Sequence, residues 1–296
     1  MSGRLRVFRV DAFTTQPFAG NPAGVVPDAQ SLDPGAMQAI TRELGGVDVA
    51  FVLPADAADH DLRLRFFTPR SEAGFVGHAT LAAHAVLDLL GHPPCRIQKQ
   101  RGGLVNIERL DDACGRRYAF SQSSPPVQGA FAADQLALVL AALGIAADEL
   151  DPGLPVVMAG AGGSRALIAV RSGATLARLQ PDSAALAALS AAGNPGGYFV
   201  YTLAPAIADC DTEARMFCPA IGIPEDPVSG NAHAMLATYL QAIGRMPRSP
   251  VALEFRGRQG HHLGRAGLLD VHVDPGAGCV RVAGSACIVM DAQLEL

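Results

Sequence analysis

Little of this chain is charged. Asp, Glu, Lys and Arg make up 17% of its 296 residues, against 49% hydrophobic residues. That balance excludes a disordered chain and leaves room for two domains of roughly 150 residues each. A basic field is missing too: the formal net charge is −5 and the pI near 5.9, so the footprint of a nucleic-acid binder is absent. A small anionic substrate would therefore need a local cationic or dipolar site. The segment MSGRLRVFRVDAF has no apolar h-region and no cleavage signal, which reads as a mature, cytoplasmic chain. The longest uncharged stretch, Ser183 to Ala208, is interrupted by Asn194-Pro195-Gly196-Gly197, so no membrane span or membrane partner is expected. The six cysteines (Cys95, Cys114, Cys210, Cys218, Cys279, Cys287) form no C-x-x-C pair and have no His at metal-ligand spacing. They read as reduced and structural, and no metal site is expected.

What is present is a mixture of short strands and a few helices. Leu5–Phe13 alternates apolar and polar residues, and Val49–Leu53, Leu62–Phe67, Leu104–Arg109 and Tyr118–Gln122 are short runs bounded by Gly, Pro, Asp or Ser. Helices are expected over Asp33–Leu44, His78–Leu90, Ala133–Leu143, Ala174–Arg178, Ser183–Ala192 and Asn231–Ile243. Further strands are expected at Val156–Met158, Ala166–Val170, Tyr198–Leu203, Glu213–Phe217, Val251–Arg256, Gly267–Val273 and Cys279–Ala283. Ser123–Gly129, rich in Ser and Pro, reads as a linker. Without a regular βαβ spacing, the fold class is α+β rather than a doubly wound sheet.

The chain also repeats itself. RFFTP (Arg65–Pro69) matches RMFCP (Arg215–Pro219), and Gly77 matches Gly230 with three extra residues in the second copy. The glycines that stop the following helices, Gly91 and Gly244, both stand 14 residues further on (77 to 91, 230 to 244). Each copy reads strand, Pro-containing loop, Gly-polar pair, buried helix, Gly stop. Two pseudo-equivalent domains follow, 1–124 and 125–296, with the last strand able to cross back to the first. Facing helix N-termini would offer unpaired N–H groups and partial positive charge, an anion site without Arg or Lys.

The residues at those helix starts have two readings each. Ser229 and Asn231 are good caps, and Asp226 complements a helix dipole. His78 is either a satisfied imidazole or a proton carrier near neutral pH. Together, a carboxylate and an imidazole form an acid–base set. Two-thiol racemisation is disfavoured, because the positions before the two glycines hold Val76 and Ser229, and Cys218 lies twelve residues before Gly230.

Four ordered motifs resemble the PhzF-like family, the phenazine-biosynthesis isomerase group within the diaminopimelate epimerase-like fold. They are VFRVDAFTTQPFAGNPAGVV (Val7–Val26), RFFTPRSEAGFVGHATLAAHAVL (Arg65–Leu87), GIPEDPVSGNAHAMLATYL (Gly222–Leu240) and RQGHHLGRAG (Arg258–Gly267). The resemblance implies two α+β domains, each a mostly antiparallel sheet wrapped around a central helix, with the site between them. It also implies a homodimer and chemistry with neither metal nor organic cofactor. The family's general acid/base is a Glu in a segment reading roughly S-E-T-x-F-V; here the match is Val47–Val52, with Asp48 in its place. On local sequence alone, Asp48 reads as a turn residue after Gly45-Gly46, entering the strand at Val49, and the resemblance reverses that reading. The other implied site positions are Gly77, His78, Asp226 and Asn231, the last where Ser is usual.

The expected function is a cofactor-independent isomerase that moves a proton on a small carboxylic acid, with Asp48, His78 and Asp226 catalytic. Gly77, Ser229, Gly230 and Asn231 bind substrate, and Asn21 joins them as a candidate although its GNPAG segment reads first as a plain turn. Competing readings are a non-catalytic binding module for a small acid or protein on the same scaffold, and an epimerase without thiols. Asp is one methylene shorter than Glu, and a displacement near 1 Å at a proton-transfer group costs about 10²-fold unless the pocket or substrate compensates. Glu43 reads as a solvated residue and Glu72 as one that holds its loop. His60, His92, His261 and His262 lie in polar loops and read as surface residues.

Overall fold

The computed structural model describes residues 3–112, 115–160, 164–193, 195–245, 253–274 and 276–296. It is a mixed α+β fold, rich in strand with few helices. Contacts divide the chain into two compact units, Met1–Gln122 with Arg281–Leu296, and Ser123–Val280. Among the described residues no helix is long and apolar enough to cross a membrane.

In the first unit, strand Arg4–Ala12 lies antiparallel between Ala286–Glu295 and Asn21–Val26. Asn21–Val26 runs parallel to Asp48–Pro54, which is antiparallel to Leu62–Phe67. Leu62–Phe67 then takes the short strand Glu72–Ala73 antiparallel and Ile97–Gln100 parallel, and Gly103–Asp112 follows antiparallel. Because strand side chains alternate, the sheet has two apolar faces. Phe8, Val10, Ala23, Val25, Ala50, Val52, Leu64 and Phe66 pack against helix Gly77–Leu89. Leu5, Val7, Val49, Phe51 and Phe67 pack with Met37 and Ile40 of helix Pro34–Glu43. Asp33 caps that second helix by accepting the Ala36 N–H at 2.8 Å.

Taken by itself, the second unit runs through the same sequence of pairings. Val157–Ala159 is antiparallel to Val127–Ala130 and to Arg165–Ala169, and Arg165–Ala169 is parallel to Tyr198–Thr202. Tyr198–Thr202 is antiparallel to Thr212–Cys218, which takes Ile223–Asp226 antiparallel and Leu253–Gln259 parallel, with Gly267–Asp274 next. Helix Gly230–Ala242 stands where Gly77–Leu89 stands in the first unit's order, and both have 13 residues. Residues Ala79 to Leu87 are all buried, as are Ala232 to Ala237 with Tyr239 and Leu240. Helices buried on nearly every side are apolar on nearly every side, and the four Ala in each keep their surfaces small.

The repeat extends to side chains. Arg65 binds both Glu72 oxygens at 2.8 and 2.9 Å, and Arg215 binds Glu225 at 2.9 and 2.7 Å. Each guanidinium lies over the aromatic two residues further along its strand, Phe67 at 5.2 Å and Phe217 at 5.1 Å. Asp61 accepts the N–H groups of Arg96 and Ile97, as Asp211 accepts that of Arg256.

Some expectations change. The linker expected over Ser123–Gly129 is strand from Val127, because Val127 pairs with Ala159 and Ala130 with Val157. Asn21, expected in a turn, opens strand Asn21–Val26. The closing strand Ala286–Glu295 went unrecognised after Gly284, since a half-exposed strand has a weak apolar rhythm. The strand expected from Val251 is described from Leu253; its first two residues, like Cys114, lie outside the described residues. Cys95, Cys210, Cys218, Cys279 and Cys287 are free thiols.

Candidate active site

Strand alternation decides where Asp48 points. Ala50 and Val52 belong to the face covered by helix Gly77–Leu89, so Asp48, two residues earlier, continues that face at its edge. It is the first residue of its strand, in register with Ala23, rather than a free turn residue. Asn21, two residues before Ala23 on the neighbouring strand, lies on the same face and is buried. The helix brings His78 to this edge. His78 Nε2 stands 3.8 Å from Asp48 Oδ2, with the side chains 14% and 17% exposed. This is ion-pair reach but longer than a hydrogen bond. Burial pushes the His78 pKa down to about 4, so at neutral pH the imidazole is uncharged.

Gly77 opens the helix. A Cβ there would stand 2.9 Å from Phe120 Cζ, so the glycine is required by the ring beneath it. The N-cap residue Val76 supplies no side-chain hydrogen bond to the first turn. The second helix differs. Ser229 is its N-cap and accepts from the Ala232 N–H at 3.3 Å. Gly230 is buried, and Asn231, at the helix position that His78 holds in the first, is exposed. Asp226 ends strand Ile223–Asp226 in register with Met216.

Gln259 was not singled out as a site residue. It is fully buried, donates to the Asp226 carbonyl at 2.6 Å and accepts from the Ser229 N–H at 3.1 Å. The amide therefore fixes the loop carrying Asp226 and Ser229; the only sequence signal was its place in RQGHHLGRAG. His233 packs edge-on against Phe199 and bonds the Ser229 carbonyl through Nδ1 at 2.9 Å. Thr80, in the matching place, donates to the Val76 carbonyl at 2.9 Å.

Three histidines expected at the surface are not there. His60 is buried, with Nδ1 2.6 Å from Asp59 Oδ1 and Nε2 3.0 Å from Asp56 Oδ1, because the tight loop folds both carboxylates over it. His261 and His262 are half-buried against Glu213. His92 is exposed, as is Glu43, and Glu72 is held by Arg65. The residues before the two helix glycines, Val76 and Ser229, carry no thiol, and burial drives the Cys218 thiol up to about 12.

Comparison with known proteins agrees with this architecture. The model of the phenazine biosynthesis-like (PhzC-PhzF) family matches residues 10–292, and the chain belongs to that family. The protein described as uncharacterized isomerase YddE of Escherichia coli (strain K12) is 38% identical over 295 residues, covering 97% of each chain. A Bacillus anthracis PhzF-family protein of known structure has a TM-score of 0.88 at 26% identity, covering 99% of this chain and 100% of its own. A Pseudomonas aeruginosa protein described as a predicted epimerase has a TM-score of 0.80 at 29% identity, covering 98% and 99%. Relatives described as isomerases and epimerases identify the chain as an isomerase-family enzyme.

Proposed function

We propose that the protein is a cofactor-independent isomerase that moves a proton along a small carboxylic acid, with Asp48 as the general acid/base. The observation that supports it is the Asp48–His78 pair, 3.8 Å apart beside an uncapped helix start. The Asp48 carboxylate takes a proton from a carbon next to an unsaturated bond and returns it at the far end of the conjugated system. No electron acceptor is involved, and the net change is the position of a double bond. The substrate carboxylate would lie against the N–H groups of Gly77 and His78, where the helix dipole favours an anion. Neutral His78 would donate to oxygen that gains charge as the proton leaves. On the family resemblance, Asp226 would position the substrate or relay the proton with His78, and Ser229, Gly230 and Asn231 would bind it. The same reading takes the two units as matched domains of a diaminopimelate epimerase-like homodimer.

The test is deuterium incorporation from D2O into a panel of small unsaturated acids, followed by mass spectrometry. Wild-type protein should label at least one acid, and Asp48→Asn should remain folded and lose labelling. Unchanged labelling in Asp48→Asn would remove Asp48 as the base. Labelling with loss of chirality but no double-bond shift would make the enzyme an epimerase. Saturable binding of an acid without labelling would make it a binding module.

A further inference from the structure

Glu213, His261 and His262 come together within the second unit. The parallel register of Glu213 with Arg258 sets the start of one strand beside the end of the other. The chain then turns sharply at Gly260. Its φ is +84°, and a Cβ there would stand 2.6 Å from the Pro227 carbonyl oxygen and 2.5 Å from that of Arg265. The turn is closed by Leu263 N–H and Arg265 N–H to the Gly260 carbonyl, both at 3.0 Å, so the two imidazoles are carried on a braced loop. Their ring centroids are 3.7 Å apart.

The donors in this cluster are unevenly used. Glu213 is 2% exposed; Oε1 meets His261 Nε2 at 2.7 Å, and Oε2 accepts the Ala206 N–H at 3.1 Å. Among the described residues, His261 Nδ1 and His262 Nε2 are buried with no hydrogen-bond partner. Buried ring nitrogens without partners are costly, and an ion or water is their ordinary explanation. The nearby guanidiniums have carboxylates of their own: Arg215 pairs with Glu225 and Arg258 with Asp209.

We propose that Glu213, His261 and His262 form a divalent transition-metal site of the zinc type. One ligand atom from each lies within 4.8 Å of the others. Tetrahedral zinc with bonds near 2.1 Å holds its donors about 3.4 Å apart, so closing the site asks for side-chain rotations of about an ångström. One carboxylate and two imidazoles are a donor set that zinc accepts, with water completing the shell. The metal would tie the Gly260–Gly264 turn to strand Thr212–Cys218. It takes no part in the proton transfer assigned to Asp48.

Zinc chloride is the probe, titrated by calorimetry into chelator-stripped full-length protein. Wild-type and His92→Ala protein should bind one equivalent and melt at a higher temperature with zinc. Glu213→Gln and His262→Ala should weaken binding at least about 10-fold and lose the thermal shift. Cobalt-loaded wild type should show tetrahedral d–d absorption without a thiolate charge-transfer band, a readout that stands even where a variant folds poorly. Absence of saturable binding overturns the site. So does wild-type affinity in both variants, or a thiolate band, which would locate the metal on free cysteines such as Cys210. These outcomes are independent of deuterium labelling, so the site and the isomerase reading fail separately.

Discussion

The two units share an order of strands, yet only the first has a carboxylate at the head of its inner strand. Val49 pairs with Phe67, and Tyr198 pairs with Phe217. Asp48 therefore corresponds to Gly197, and His78 to Asn231. A Cβ at Gly197 would lie 2.6 Å from Cys218 Sγ, 2.8 Å from Arg165 Cδ and 2.9 Å from Met216 Cε. In the second unit that space is filled by neighbouring side chains; in the first it holds an acid beside an imidazole. Duplicated topology thus supplies two matching frames, and the local filling decides which frame carries reactive groups.

Substitutions can break this contrast. The largest effect is expected at Asp48: Asp48→Asn should reduce deuterium labelling by about 10²- to 10⁴-fold with an unchanged melting temperature. The mirror change Gly197→Asp should gain no labelling and destabilise the fold by about 1–3 kcal/mol through overpacking, read by denaturant unfolding. Gly257→Ala should act similarly, at about 2–3 kcal/mol, because its Cβ would meet His233 Cδ2 at 2.4 Å inside a filled core. A stable Gly257→Ala variant would mean that His233 can leave its place against Phe199.

Acid should act on both units. Burial holds His78, His84 and His233 near pKa 4, below their ordinary 6.5. Between those values the unfolded chain binds protons that the folded chain does not. Stability is therefore complete above pH 6.5 and falls as pH drops toward 4, by on the order of 1–3 kcal/mol per imidazole. Both units hold such imidazoles, so the amides of both should lose hydrogen-exchange protection on acidification. A flat stability profile from pH 7.5 to 4.5 would contradict this. The smallest effect is at the caps: Ser229→Ala should cost about 1 kcal/mol, as should Asp33→Ala, while the first central helix has no side-chain cap to lose.

Much of this fold was legible because its signals are local. Glycines at Gly91 and Gly244 marked the helix ends, and both have positive φ. The repeated R-x-F-x-P marked the strand before each helix. Asp48 was harder, because a short acid after two glycines looks like a turn; only strand register shows that it lies on the helix-facing side. The Glu213–His261–His262 cluster could not be read from spacing, since its members meet through parallel pairing of distant strands. Gln259 was hidden for the same reason, its amide serving backbone groups about thirty positions upstream.

The ring beneath Gly77 has a further consequence. Phe120 meets Phe75 edge-on at 5.0 Å, and Phe75 meets Phe66 at 6.1 Å, so three aromatics form a stack ending at the helix start. The row of rings underlies Gly77 and so supports the helix start that carries His78. Shortening any of the three to Leu would thin the support under that helix start while leaving Asp48 and His78 themselves in place.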